Sequence, residues 1–261
     1  MTVASVLAAC GASRATLALP TPDRLRRTNF SGDDVSLMGG VAVCAGAAGG
    51  LLALRDQPRL ALTGAIATAA AAAAGWIDDH HEHDFAAEAK GLAGHLGQLA
   101  AGKLTSGTVK IGLIGAGALA SAGILAGPRP VDLGTRAVTI AASANLVNLL
   151  DLRPGRAIKS AVALAAVAAT SRRSRPLALL TGAVALSGAP EDLAARTMLG
   201  DLGANALGAM VGVALAAHRR PAVRLGAAAG ASALIIASEK VSFSHIIESH
   251  PLTRRIDEWG R

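Results

Sequence analysis

Nine runs of mainly apolar residues, 3–19, 37–54, 60–77, 109–127, 132–150, 157–170, 176–188, 203–217 and 222–237, alternate with short polar links. A helix needs about 20 such residues to cross a hydrocarbon core of about 30 Å, so each run is a candidate span. The sixth and seventh are short and are expected to lie in thinned lipid or to form a hairpin that crosses incompletely. From Phe85, the positions Phe85, Ala89, Leu92, Leu96 and Leu99 recur at helical spacing, which suits a helix lying in the headgroup plane. The only long connection is 78–108. The pattern therefore predicts one all-α domain over 1–261, a polytopic membrane protein of about nine transmembrane helices plus an interfacial helix. The first run lacks the basic start of a secretory signal and contains Arg14, and is read as a retained helix.

Composition supports lipid as the solvent. The chain is 52% hydrophobic and only 16% charged, too apolar for a soluble protein of this length. Alanine and glycine dominate, which predicts close helix packing through small side chains. The net charge of +7 would suggest nucleic acid in a soluble domain. Here the basic residues sit in links between apolar runs, which excludes nucleic acid as a partner and favours anionic headgroups and phosphorylated substrates. Cys10 and Cys44 fall inside apolar runs and are read as packing residues.

With nine crossings, segments 20–36, 78–108, 151–156, 189–202 and 238–261 emerge on one side. That side carries 16 of the 18 acidic residues; only Asp56 and Asp132 lie opposite. With Lys110 and Lys159 at the adjoining helix ends it also carries 14 of the 25 Lys and Arg, which makes it the cytoplasmic side by the positive-inside rule, although the Arg-rich link 171–175 opposes this. Carboxylates this polarised suit a site at the membrane face.

Four segments carry candidate chemistry. The third run ends in Asp78-Asp79. Adjacent residues on a helix point about 100° apart, so one carboxylate can meet a metal or lysine while the other faces a lipid phosphate. His80, His81, Glu82 and His83 follow without a second ligand set and are read as solvated. Lys110 enters the fourth span among apolar residues, where it must snorkel or meet an anion such as a phosphate or the Asp78-Asp79 pair. The Gly112, Gly115 and Gly117 run mimics a dinucleotide fingerprint, but the apolar helix that follows excludes a βαβ unit and predicts glycine-mediated packing. The fifth span ends with Asn145, Asn148 and Asp151, spaced three apart on one helix face, and Arg153 and Arg156 lie just beyond. Oxygen ligands beside guanidiniums suit Mg²⁺ and a diphosphate. Gly200-Asp201 opens the eighth span with Asn205 one turn on, a carboxylate either paired with the helix dipole or belonging to the site.

Three of these pieces in this order, Asp78-Asp79, Asn145-x-x-Asn148-x-x-Asp151 and Gly200-Asp201-x-Gly203 with Gly208, resemble the polyprenyl-phosphate N-acetylhexosamine-1-phosphate transferases, the family of phospho-MurNAc-pentapeptide translocase and undecaprenyl-phosphate GlcNAc-1-phosphate transferase. Weaker echoes are Leu104-Thr105 with Lys110, and Gly39-Gly40. The resemblance implies transfer of a sugar-1-phosphate from a UDP-sugar to polyprenyl phosphate, releasing UMP, with Mg²⁺ or Mn²⁺, on the cytoplasmic face of a bacterial plasma membrane. It makes Asp151 the metal-binding aspartate, with Asp79 as a second candidate ligand, and Asp78 with Asp79 the essential acidic pair. Lys110, Asn145, Asn148, Arg153, Arg156, Asp201 and Asn205 become candidate substrate contacts. The implied partners are the UDP-sugar, polyprenyl phosphate and the bilayer, with a second copy of the chain as a candidate. Pro154 stands where many members carry a second aspartate, and the family's histidine-rich loop has no recognisable counterpart, its place being taken by Ser242 to His250. A catalytically silent polyprenyl-phosphate-binding scaffold and a small-solute transporter are the alternative functions.

Overall fold

In the computed structural model, residues 2–28, 32–81, 85, 91–127 and 129–260 are described, and the described residues are mostly helical. They form α1 (Thr2–Leu17), α2 (Met38–Ala53), α3 (Pro58–His81), α4 (Gly91–Ala100), α5 (Ser106–Leu125), α6 (Pro130–Leu150), α7 (Arg156–Ala169), α8 (Arg175–Leu193), α9 (Gly200–Ala216), α10 (Pro221–Ser238), α11 (Phe243–Ser249) and α12 (Pro251–Glu258). Each of the nine apolar runs is a helix. Three of them, α3, α5 and α10, are long and apolar enough to cross a membrane. Helix α7 has 14 residues, about 21 Å of rise, well short of a full span.

The helices close around α9. Every residue from Gly203 to Ala216 is buried, and α2, α3, α6, α7 and α8 all pack against it. A helix apolar on every side belongs in such a centre. Glycines set the packing distance. A Cβ on Gly75 of α3 would overlap the Asp201 carbonyl, and one on Gly203 would meet the Gly40 backbone of α2. Farther along, Gly208 and Gly212 of α9 lie against the α6 backbone at Ser143, Ala144 and Ile140. The fingerprint-like glycines sit inside the continuous helix α5. Gly117 packs on Ala70 of α3, whereas Gly112 and Gly115 face open space, so close packing accounts for only one of the three.

Because backbone rather than a flexible side chain meets the added atoms, Gly75→Val should cost at least about 1–3 kcal/mol. A midpoint of thermal unfolding in detergent within a degree of the wild type would contradict this contact.

One element lies outside an all-α description. The link before α2 folds into an antiparallel hairpin, β1 (Arg26–Thr28) with β2 (Asp34–Ser36), pairing Arg27 with Val35. Ser36 extends it by bridging Thr197 in the link between α8 and α9, and Arg27 donates to the Asp79 carbonyl at 3.0 Å. The hairpin thus braces the carboxylate end of the bundle. Helix α4 is fastened to α5 by His95, whose Nδ1 lies 2.8 Å from Thr105 Oγ1, the side chain that caps α5. The remainder of the expected interfacial segment, residues 86–90, and Glu82 and His83 fall outside the described residues.

Candidate active site

The site begins with a capping problem. Helix α9 starts at Gly200 (φ +60°), and Leu199 before it offers no side-chain acceptor for the free N–H groups of the first turn. Asp79 supplies one from another helix: Asp201 N donates to its Oδ1 at 3.1 Å and Leu202 N to its Oδ2 at 2.9 Å. A carboxylate at a helix N-terminus is favoured by both hydrogen bonding and dipole. Gly200 is needed because its backbone is left-handed, and an added Cβ would press on Leu37 and on the same carboxylate.

Asp78 points elsewhere. Lys110 Nζ donates to its Oδ2 at 2.8 Å and to Asp201 Oδ2 at 2.5 Å, so the lysine ties α3, α5 and α9 together. Asn148 of α6 completes the group. With its amide oriented to suit its neighbours, it donates to Asp201 Oδ1 and accepts from Lys110 Nζ, both at 3.0 Å. Asn205 is fully buried; its amide donates to the Asp201 carbonyl at 2.7 Å, and its Oδ1 has no partner among the described residues. Asn145, one turn before Asn148, is half-buried.

Asp151 follows the last turn of α6, its N–H donating to the Asn148 carbonyl at 3.0 Å. It lines a cavity of about 500 Å³ with Asp192, Arg153, Thr197, Met198 and Ser244. Burial, and then the nearby charges of Asp192, Asp201 and Asp79, hold the Asp151 carboxyl well above the usual carboxylate range. Asp192 was not singled out by the sequence reading. It is buried near the end of α8 and accepts from Gly155 N at 2.6 Å. The available signal was a carboxylate two residues past a proline inside an apolar helix.

No family model, curated protein or solved structure matches the chain. The site is therefore read from its own geometry.

The two arginines after Asp151 diverge. Arg153 lines the cavity and pairs with Glu248 at 3.3 Å. Arg156 turns away: it forms a buried bidentate pair with Asp257 at 2.7 and 2.9 Å and donates to Ser244 Oγ at 2.9 Å. Together with Lys159, which donates to the Ile256 and Asp257 carbonyls, it fastens α11 and α12 across the end of the bundle. Asp257→Ala should strand a buried guanidinium and cost about 3–5 kcal/mol locally. Limited proteolysis checks this, since cleavage between α10 and α12 should accelerate markedly over wild type.

His80 stacks on Trp76 with ring centroids 3.9 Å apart and bonds the Trp76 carbonyl through Nδ1, a packing role. Among the described residues no three His, Cys, Asp or Glu side chains are grouped to hold a metal ion. Two carboxylates, Asp151 and Asp192, do share the cavity. That donor set fits Mg²⁺, which takes one or two protein carboxylates and fills its octahedron with water and substrate phosphate. Asp79 fits less well, because both its oxygens already accept backbone N–H groups.

Proposed function

We propose that this protein transfers a sugar-1-phosphate from a UDP-sugar to polyprenyl phosphate and releases UMP. The observation that carries the reading is the convergence of Asp78, Lys110, Asn148 and Asp201 beside the Asp151–Asp192 cavity, at one end of apolar helices. Its volume falls within the range of small-ligand sites. The reading includes about nine crossings, with the short α7 in thinned lipid and the carboxylate end facing the cytoplasm of a bacterial plasma membrane.

Phosphoryl transfer depends mainly on positioning and electrostatics, so roles follow from location. Asp151 and Asp192 would hold Mg²⁺, or Mn²⁺ with the same ligand preference, and an ion held there would supply positive charge for the donor diphosphate. Arg153 is placed to take a phosphate oxygen at the cavity wall. Asp78, with one oxygen on Lys110, and Asp79, which caps α9, are the carboxylates placed to orient the lipid phosphate or take its proton. The lipid phosphate oxygen bonds to the sugar-bearing phosphorus, the bond from that phosphorus to the UMP oxygen breaks, and UMP departs with the electron pair. Lys110 keeps Asp78 and Asp201 in register while this happens.

The test is UMP release by the purified chain given UDP-GlcNAc and related UDP-sugars, polyprenyl phosphate and Mg²⁺. Lipid-dependent UMP with at least one donor is the expected result. A full donor panel yielding none, with solute flux into sealed vesicles instead, would replace the enzyme by a transporter.

A further inference from the structure

The opposite end of the bundle has the reverse charge character. Asp132 at the start of α6 is the only described carboxylate among the ends of α6, α7, α8, α9 and α10 there, and two buried arginines consume it. Arg136 Nε donates to its Oδ2 at 2.8 Å and Arg224 Nη2 to its Oδ1 at 2.7 Å. Arg136 also donates to the Ala216 carbonyl, and Arg224 donates to the His218 carbonyl at 2.7 Å, satisfying the end of α9. No other described carboxylate at these five helix ends remains for the arginines above them.

Those arginines stand on a rigid platform. The α7–α8 link is pinned by Ser174 Oγ donating to the Ala168 carbonyl at 2.6 Å, and by Thr170 Oγ1 lying 3.0 Å from buried His218 Nε2. The α9–α10 link is pinned by Arg219 N donating to Ser171 Oγ at 3.3 Å and Arg220 N to His218 Nδ1 at 3.1 Å. From this platform Arg172, Arg173, Arg219 and Arg220 project as exposed side chains with no side-chain hydrogen bond or carboxylate among the described residues. Burial, and then Arg136, Arg224 and Arg219, push the Arg173 guanidinium below its ordinary range, against the smaller opposing pull of Asp132.

We propose that the α7–α8 and α9–α10 links form a binding site for the phosphate of an anionic phospholipid, gripped by Arg173 and Arg219 with Arg172 and Arg220 beside them. The chemistry that recognises it is guanidinium on phosphate. A lipid is favoured over a free anion because the helices bearing these links carry exposed apolar side chains, Val167 on α7, Leu179 on α8 and Leu225 on α10, as surface for acyl chains. The site is independent of the transferase reading and lies at the other end of the helices from it.

The test uses the full chain, stripped of lipid in neutral detergent and then given phosphatidylglycerol, phosphatidylcholine or inorganic phosphate. Phosphatidylglycerol should raise the midpoint of thermal unfolding and remain bound in native mass spectra, and the other two should not. Arg173→Gln with Arg219→Gln should weaken retention by about thirtyfold, from about fivefold for each charge near a headgroup, while leaving the midpoint in phosphatidylcholine unchanged because both positions are exposed. The single variants are read in the same way if the double variant fails to fold. Equal effects of both lipids, undiminished retention in the variants, or a matching shift with inorganic phosphate would each overturn the proposal.

Discussion

Replacing Lys110 with methionine is expected to destabilise the bundle by about 3 kcal/mol. The side chain is only 13% exposed, and its ammonium lies between Asp78 and Asp201 with Asn148 alongside. Removing it leaves two half-buried carboxylates facing each other without the counter-charge between them. Breaking a buried pair costs about 3–5 kcal/mol, and the partial exposure of Asp201 places the effect at the lower end. The sign of a second change distinguishes charge from packing. Adding Asp201→Asn to Lys110→Met removes the repulsion and should recover most of the lost stability, whereas a packing defect would deepen. Midpoints of thermal unfolding for the two single variants and the double variant decide the matter, and a Lys110→Met variant as stable as wild type would remove the lysine from the architecture.

Asp151→Asn is expected to reduce UMP release by about 10³-fold, the scale of removing one preorganised electrostatic contact from a transferase. The same change should stabilise the protein. Burial and three neighbouring carboxylates raise the Asp151 carboxyl well above its unfolded value, so the folded chain binds that proton more tightly. Stability from this group is present below the unfolded value and is lost as pH rises towards the folded one. The neutral amide escapes that loss. In metal-free buffer at neutral pH the variant should therefore unfold at a higher temperature, with the gap to wild type narrowing on acidification. A variant that is both active and less stable would contradict both halves.

These two residues also show where sequence reading stops. Asp151 was legible because Asn145, Asn148 and Asp151 repeat every third position, and a local period places them on one face of α6 whatever surrounds it. Lys110 was legible as a buried charge in need of an anion, since that follows from hydropathy alone. Which anion it meets was not legible, because the choice depends on which helix ends are brought together. Asp78 and Asp79 look alike in sequence. They part because the α9 N-terminus lies against Gly75 and takes Asp79 for its cap, leaving Asp78 to Lys110.

Arg156 and Asp192 exchanged expectations for the same reason. Arg156 follows the polar row closely enough to suggest a phosphate contact, yet it is bound to Asp257, 101 residues along the chain. Asp192 lay in what read as a link, and folding placed it in the wall of the same cavity as Asp151. The chain by itself determined the helical runs, the crowding of carboxylates at one end of them and the polar face of α6, because hydrophobic period and charge placement act over a few residues. Tertiary structure alone decided which carboxylate caps, which pairs and which lines the cavity, because those depend on how closely glycine-bearing helices approach, and that distance is set jointly by residues far apart in the chain.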